Sequence, residues 1–328
     1  MIHFWVTVLA SSILLYVLLD GFDLGVGILY GFTRHEARRR DMMSAVAPVW
    51  DGNETWLIVS GVILWGAFPI VYATLFSAFY IPLVLMLAGL ILRGVAFEFR
   101  NKALHLRWVW DIAFTGGSLL AAFMQGSMVG ALVAGLPLEH GSYAGGALGW
   151  LTPFSAMCGA GLCVGYALLG ACWLVRKFEG EGQMTAYRSI PLLALGALII
   201  LAGVFIFALR EHLQVLGRWL ERPYLFLFPA FGIAAGIAMI ASVRRRRDLA
   251  PLCLVAATFA AAFCTFLISF WPYMIPFSVT IDAAAAPHAS LAFMFWGEGL
   301  FVLPLMLVYT VISCRVFHGK VRSQPASY

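Results

Sequence analysis

Acidic residues lie inside apolar segments of this chain, and their placement is the first indication of chemistry in the sequence. Asp20 and Asp23 are three residues apart in the first apolar segment, so a helix would present both on one face. A second polar group, consisting of Asp51, Asn53 and Glu54, opens the next apolar segment. Because ionisable groups at membrane depth cost about 2.5–3.5 kcal/mol each on insertion scales, those that are retained usually serve a function. The pattern predicts a chain of groups that conducts or delivers protons.

The third apolar segment ends in a further carboxylate, Glu98, which has Arg93 and Arg100 nearby. Glu98 could extend the same proton pathway, or it could form a structural ion pair with Arg93 or Arg100 at the membrane interface. Asp51 and Asn53 are residue types that often cap a helix N-terminus, where the helix dipole also favours a carboxylate. A structural role at the start of the second helix is therefore the alternative interpretation of Asp51.

The other acidic residues in apolar segments differ in how readily a purely structural role explains them. Asp23 could cap a helix or pair with a basic loop residue, whereas Asp20 lies deeper and has the least obvious structural role. Glu298, in the last apolar segment, is expected to extend its side chain to the outer membrane interface.

Histidine and cysteine positions bear on cofactors. Haem held by axial histidines within the membrane would need histidines inside the spans, but all seven fall at span ends or in loops. The sequence therefore predicts that this chain ligates no haem. The six cysteines lie in apolar stretches without metal-ligand spacing and are interpreted as small buried side chains. The histidines are His3, His35, His105, His140, His212, His288 and His318.

The composition identifies the elements that must position the acidic groups. Of 328 residues, 62% are hydrophobic and 11% charged, and the mean hydropathy is +0.91, which excludes a soluble globular protein, a disordered chain and a nucleic-acid binder. We predict an all-α integral membrane protein, with residues 1–328 forming a single membrane domain. Nine segments are long enough to cross a bilayer, which takes about 20 residues. They lie near 4–31, 53–74, 76–98, 111–135, 153–175, 190–209, 224–243, 250–271 and 291–314.

Basic residues predict the orientation of these nine spans, since short cytoplasmic loops carry the excess of Lys and Arg. With the N-terminus outside and the C-terminus inside, 18 of the 21 Lys and Arg fall in inner connections or the C-terminal tail. Three fall outside, namely Arg210, Arg218 and Arg222. The expected topology is therefore N-out and C-in, which places the early acidic groups toward the cytoplasm.

The sequence resembles subunit II of the cytochrome bd-type quinol oxidases, including the cyanide-insensitive branch. Matching motifs run in order from the first span to the last, and they are most specific in the first 100 residues. They are Asp20–Gly27 (DGFDLGVG), Ala47–Trp56 (APVWDGNETW), Phe76–Tyr80 (FSAFY), Arg93–Arg100 (RGVAFEFR), Phe270–Tyr273 (FWPY) and Pro304–Tyr309 (PLMLVY).

The resemblance implies a fold, a partner and cofactors. It implies two four-helix bundles plus one peripheral helix in a bacterial cytoplasmic (inner) membrane. The implied partner is subunit I, which would carry haem b and, at the oxygen site, haem d or b, while this chain would hold no haem. Quinol and oxygen are the implied substrates of the complex. A structural quinone in this subunit, small single-helix accessory subunits and lipid contacts are further features compatible with the resemblance.

The resemblance also assigns roles to individual residues. Asp20, Asp51 and Glu98 match carboxylates proposed to form a cytoplasmic proton pathway toward the oxygen-reducing haem, although Glu98 stands where some members have Asp. Trp50 and Arg93 fall on motif positions as well. Together with Asn53 and Glu54, they are expected to make structural or partner contacts, while Asp23 is expected to join the pathway. Two rival functions stay open, a proton-coupled secondary transporter and a structural scaffold for subunit I.

Overall fold

The fold is known from a computed structural model that describes residues 1–100, 102–103, 105–139, 142–211 and 214–321. Long helices dominate these residues, because an apolar chain in a bilayer must satisfy its backbone hydrogen bonds internally. The helices are α1 (Ile2–Gly31), α2 (Glu36–Val46), α3 (Trp50–Ala67), α4 (Pro69–Ala78), α5 (Tyr80–Arg100), α6 (Arg107–Ala134), α7 (Pro153–Lys177), α8 (Gly180–Arg210), α9 (Gln214–Glu221), α10 (Leu227–Arg244), α11 (Ala250–Phe270), α12 (Ile281–Ala284), α13 (His288–Met294) and α14 (Val302–Val316).

Short irregular elements complete the described chain. A 3₁₀ turn covers Pro223–Phe226, and a π-helical turn over Phe295–Gly299 joins α13 to α14. Two small antiparallel hairpins lie in connections. The first pairs β1 (Leu138–Glu139) with β2 (Ser142–Tyr143), and the second pairs β3 (Tyr273–Ile275) with β4 (Val279–Thr280).

Within the described residues, eight helical segments are long and apolar enough to cross a membrane. The segment predicted at 53–74 is not among them, because it is divided into α3 and α4. The break falls at Phe68, whose backbone (φ −135°, ψ 60°) is not helical. Proline at position 69 explains the break, since its ring disfavours a helical conformation in the preceding residue. The first turn of α3 is also polar, with Asp51 and Glu54 near its start.

Helix α1 lies at the centre of the packing. It contacts α3 and α6 on one side and α7 on the other. At Gly25, an added Cβ would lie 1.8 Å from the carbonyl oxygen of Tyr166, so α1 and α7 touch backbone to backbone. Helices α5, α6, α7 and α8 pack one on the next in chain order, and α10 packs on α11. The last helix runs antiparallel along α3, with Met294 beside Gly66 and Tyr309 beside Gly52.

Several of the basic connections meet at one end of the molecule, which we call the basic end. There, Arg39 and Arg100 both pair with Asp111, at 2.7 and 2.6 Å respectively. The C-terminal segment returns to the same end, where Lys320 lies 3.0 Å from Asp248. The membrane side on which the basic end lies stays a prediction.

Candidate functional site

The most deeply buried charges in the described residues form an ion pair between α1 and α5. Arg93 donates from Nη1 to Oδ1 of Asp20 at 2.6 Å, and both side chains are fully buried. The same guanidinium donates from Nη2 to Oε2 of Glu54 on α3, at 2.8 Å. Arg93 therefore binds carboxylates from two different helices.

A second carboxylate of α1 joins this group through an amide. Asn53 on α3 donates from Nδ2 to Oδ2 of Asp23 at 2.8 Å, and both residues are buried. We call Asp20, Asp23, Asn53, Glu54 and Arg93 the Arg93 cluster. The cluster has three carboxyl groups but one guanidinium, which binds two of them, so it contains more acidic groups than cations.

Three buried polar atoms of the cluster have no hydrogen-bond partner among the described residues. They are Oδ2 of Asp20, Oδ1 of Asp23 and Nε of Arg93. Because an unsatisfied buried polar atom costs about 1–3 kcal/mol, such atoms are rare outside sites with a function. The cluster therefore has unused hydrogen-bonding capacity at its centre.

Local sequence explains how the cluster forms. The spacing of Asp20 and Asp23 places both on one face of α1, as predicted. Asn53 and Glu54 lie in the first two turns of α3, which pass beside that face. Arg93 lies about two turns before the end of α5, and its planar guanidinium can bind two carboxylates at once. The buried cation keeps its charge because it is paired.

Glu54 connects the cluster to the surface. Its side chain is 24% exposed, whereas those of Asp20 and Arg93 are 0% exposed. Asp51 is exposed and lies three residues earlier on α3, which puts it on the same side of the helix. In space, the order Asp51, Glu54, Asp20 thus leads from the solvent to the protein interior.

A second set of buried polar side chains lies on the far side of Asp20. Gln125 on α6 donates from Nε2 to the hydroxyl of Tyr16 at 2.7 Å. Tyr166 on α7 donates its hydroxyl hydrogen to Oε1 of Gln125 at 2.9 Å. Tyr16 precedes Asp20 by one helical turn, so this row of side chains ends beside the cluster.

The structure corrects the capping interpretation of α3. The N-cap position is occupied by Val49, without a side-chain capping hydrogen bond, and α3 begins at Trp50. Asp51 is therefore a residue of the first turn, where the helix dipole still favours its charge. Asn53 does not cap the helix either, because its amide binds Asp23.

The suggested ion pair of Glu98 with Arg93 or Arg100 is wrong. Glu98 is 69% exposed and lies 3.4 Å from Lys102, one turn later on the same helix surface. Arg93 is occupied by the cluster, and Arg100 is bound by Asp111 and by Glu36. Helix geometry explains the difference, since side chains five or two residues apart point to different sides.

Trp50 lies beside the cluster without being hydrogen-bonded to it. Its ring stacks on Phe97 with centroids 5.2 Å apart, and the Arg93 guanidinium carbon lies 6.0 Å from the ring centroid. Trp50 thus covers one side of the guanidinium. Its expected contact with a partner stays a prediction.

The predicted residues outside the cluster have simpler surroundings. The five histidines in the described residues are all exposed, and His140 and His212 lie outside those residues. Glu298 is partly buried in the π-helical turn, beside an apolar groove of about 520 Å³ between α3 and the last helix. Its predicted extension to the outer interface stays a prediction.

Sequence reasoning missed several polar partners. Gln125 is a polar residue in the middle of a predicted span, which should have marked it as a candidate in the same way as the carboxylates. Tyr16 lies four residues before Asp20, the spacing of helix neighbours. Asp111 gives no comparable signal, because its role in joining Arg39 to Arg100 depends on three separate segments.

Comparison with known proteins gives a consistent result. The family model described as cytochrome bd terminal oxidase subunit II matches residues 1–317. The chain is 29% identical to cytochrome bd-I ubiquinol oxidase subunit 2 of Escherichia coli K12, over 98% of this chain and 95% of that protein. It is 31% identical to the probable cytochrome oxidase subunit 2 of Haemophilus influenzae, over 89% of this chain and 85% of the relative. The solved bd oxidase of Geobacillus thermodenitrificans has a chain with the same fold, with a TM-score of 0.77 at 17% identity, covering 96% and 98% of the two chains.

Proposed function

Because the chain belongs to the family of cytochrome bd terminal oxidase subunit II, we propose that its Arg93 cluster carries protons toward the oxygen-reducing centre of a partner subunit. The chain is a subunit of a quinol oxidase and a multi-pass protein of the bacterial inner membrane. The partner is subunit I, and the haems that transfer electrons from quinol to oxygen lie there, with none held by this chain.

The observation that carries the proposal is the buried Asp20–Arg93–Glu54 arrangement inside membrane-spanning helices. Reduction of oxygen to water consumes protons, and these need a route through a medium of low dielectric. One buried guanidinium offsets the charge of one carboxylate, while burial and the repulsion between neighbouring carboxylates favour a proton on one of the others. An excess of carboxyl groups over cations is the composition expected of such a relay.

We assign the residues as follows. Asp51 collects a proton at the exposed start of α3, Glu54 passes it inward, and Asp20 holds it in the protein interior. Asp23, fixed by Asn53, is the second acceptor on α1. Glu98 lies at the surface and serves only to attract protons toward the entrance.

The direction of transfer follows from topology. In the topology expected from the sequence, α3 and α4 together make one of nine spans, the N-terminus lies outside and the C-terminus inside. The basic end then faces the cytoplasm, so protons are taken from that side. If quinol releases its protons outside, each turnover separates charge across the membrane without a pump. In this arrangement the residues of this chain hold and move protons but do not touch quinol or oxygen. A structural quinone and small accessory subunits are compatible with this function but are not required by it.

One observation favours a second candidate, the structural scaffold. Arg93 is buried and bound on two sides, and such an ion pair can simply hold α1, α3 and α5 together. The two candidate functions predict different effects of replacing the carboxylate by a neutral residue of the same shape. A scaffold needs hydrogen bonds, which asparagine can supply in part, whereas a proton relay needs an ionisable carboxyl.

The test is Asp20→Asn in the assembled oxidase, with Asp282→Asn as the matched control, because Asp282 is exposed on the short helix α12. We expect quinol-driven oxygen consumption to fall at least about a hundredfold in Asp20→Asn, the lower limit of what a positioned proton-transfer group contributes. The haem spectrum should be intact in both variants. Unchanged turnover in Asp20→Asn, with haems intact, would favour the scaffold.

A further inference from the structure

A row of hydrogen-bonded side chains crosses three helices and ends one helical turn from Asp20. Tyr166 on α7 is fully buried, Gln125 on α6 is 8% exposed and Tyr16 on α1 is 5% exposed. Their hydrogen bonds measure 2.9 Å from Tyr166 to Gln125 and 2.7 Å from Gln125 to Tyr16. The proton relay assigned above makes no use of them. Burying three polar groups in apolar surroundings is costly unless their hydrogen bonds are made, so the row needs an explanation.

The amide of Gln125 gives this row a direction. Its oxygen accepts the hydrogen of Tyr166, and its nitrogen donates to the oxygen of Tyr16. A phenol oxygen that accepts in this way keeps its own hydrogen free to donate. Tyr16 is therefore left with a hydroxyl hydrogen that needs an acceptor.

An acceptor of the required kind lies one helical turn away. Asp20 uses Oδ1 to bind Arg93, while its buried Oδ2 has no hydrogen-bond partner among the described residues. Tyr16 and Asp20 are four residues apart on α1 and so lie on the same face. The free donor and the free acceptor complement each other.

We propose that Tyr16 is a positioning residue for Asp20, donating its hydroxyl hydrogen to the carboxylate oxygen that Arg93 does not bind. Gln125 and Tyr166 orient this donor. Asp20 is then held between the guanidinium on one oxygen and the phenol on the other, which fixes its rotamer in the relay. This inference rests on the proposed function of Asp20 and adds to it a residue outside the Arg93 cluster.

The row positions Asp20 rather than extending the proton route. An amide such as that of Gln125 donates and accepts hydrogen bonds without readily exchanging a proton between them. Beyond Gln125 the row ends at Tyr166, whose ring packs against Gly21 and lies 6.0 Å from the ring of Phe259. That end is apolar, so a proton that entered the row would find no exit there.

Infrared difference spectroscopy of the assembled oxidase, on reduction by quinol, tests this directly. The band of the Asp20 carboxyl is identified by its loss in Asp20→Asn. We expect Tyr16→Phe and Gln125→Leu to shift that band, and Tyr187→Phe to leave it in place. Tyr187 is the matched control, because its hydroxyl also binds a carboxylate, that of Asp248, which does not belong to the cluster.

Turnover separates this inference from the proposed function. Tyr16→Phe should lower quinol-driven oxygen consumption about fivefold, the change expected from losing one hydrogen bond in the relay. If Asp20→Asn slows turnover but Tyr16→Phe leaves the Asp20 band unmoved, the role of Tyr16 is refuted while the relay stands. If the band shifts but Asp20→Asn turns over normally, Tyr16 positions Asp20 and the relay is refuted. Should Tyr16→Phe fail to assemble, Tyr166→Phe, which frees the amide to turn, should give a smaller shift of the same band, and no shift would overturn the inference.

Discussion

Replacing Glu54 by glutamine separates the pathway inferred from the structure from the one expected from sequence motifs. Glu54 is 24% exposed and binds buried Arg93 at 2.8 Å, whereas Glu98 is 69% exposed and faces Lys102 at 3.4 Å. Glutamine keeps an oxygen that can accept from Arg93 but cannot carry a proton in transfer. A positioned acid or base contributes about 10²–10⁴-fold to a proton-transfer step. Because water can reach a partly exposed side chain and replace it in part, we expect a loss at or below the lower limit of this range, about tenfold to a hundredfold.

Folding should survive this change. Removing one partner of a buried ion pair typically costs about 3–5 kcal/mol, but Arg93 keeps its bond to fully buried Asp20 in Glu54→Gln. The cost should therefore be well below that range, and the haem spectrum of the complex should be unaltered. A normal spectrum with slow turnover would assign the loss to proton delivery rather than to assembly.

The assay is oxygen consumption driven by quinol, measured on the purified oxidase. Glu98→Gln should change the rate by less than about threefold, since an exposed ion pair contributes about 0–1 kcal/mol. Glu181→Gln is the control for removing a carboxylate at the basic end, because Glu181 is exposed at the start of α8. Equal rates in Glu54→Gln and Glu98→Gln, or a slower Glu98→Gln, would refute the assignment of Glu54 as the inward link.

Two further predictions concern the packing and the C-terminal segment. Gly25→Ala should lower the thermal unfolding temperature of the complex, because the added Cβ would overlap the backbone of α7. Such overpacking costs about 1–3 kcal/mol. Gly116→Ala is the control and should not lower the unfolding temperature, because there is open space at that position. Slight burial raises the pKa of Asp248, but hydrogen bonds from Lys320 and Tyr187 outweigh it and hold that pKa below its ordinary value of 3.8. The attachment of the C-terminal segment through this carboxylate is therefore complete above pH 3.8 and lost as the pH falls below it. At neutral pH, limited proteolysis should cleave the segment faster in Asp248→Asn than in the unmodified protein, and equal cleavage rates would contradict this.

The sequence predicts the helical class and the acidic residues of the site, because both depend on local patterns. Apolar length marks the spans, and the three-residue spacing of Asp20 and Asp23 places them together on α1 whatever the rest of the fold. The error in the predicted span at 53–74 also has a local cause. The break at Phe68 is caused by the proline at position 69, and the mean hydropathy of the apolar segment does not reveal it.

Partner choice could not be predicted in the same way, and Arg93 shows why. In the sequence its neighbour is Glu98, but five residues along a helix point the two side chains apart, while α1 and α3 bring Asp20 and Glu54 to the guanidinium from 73 and 39 residues away. The arginine side chain is long and flexible, so the packing of the helices determines which acidic groups it can bind. In a membrane this selection is strict, because an arginine that found no carboxylate would be an unpaired charge in hydrocarbon. The pairing of Arg93 therefore depends on α1, α3 and α5 having the correct register. The packing of these three helices also determines the distances between the groups of the proposed proton relay.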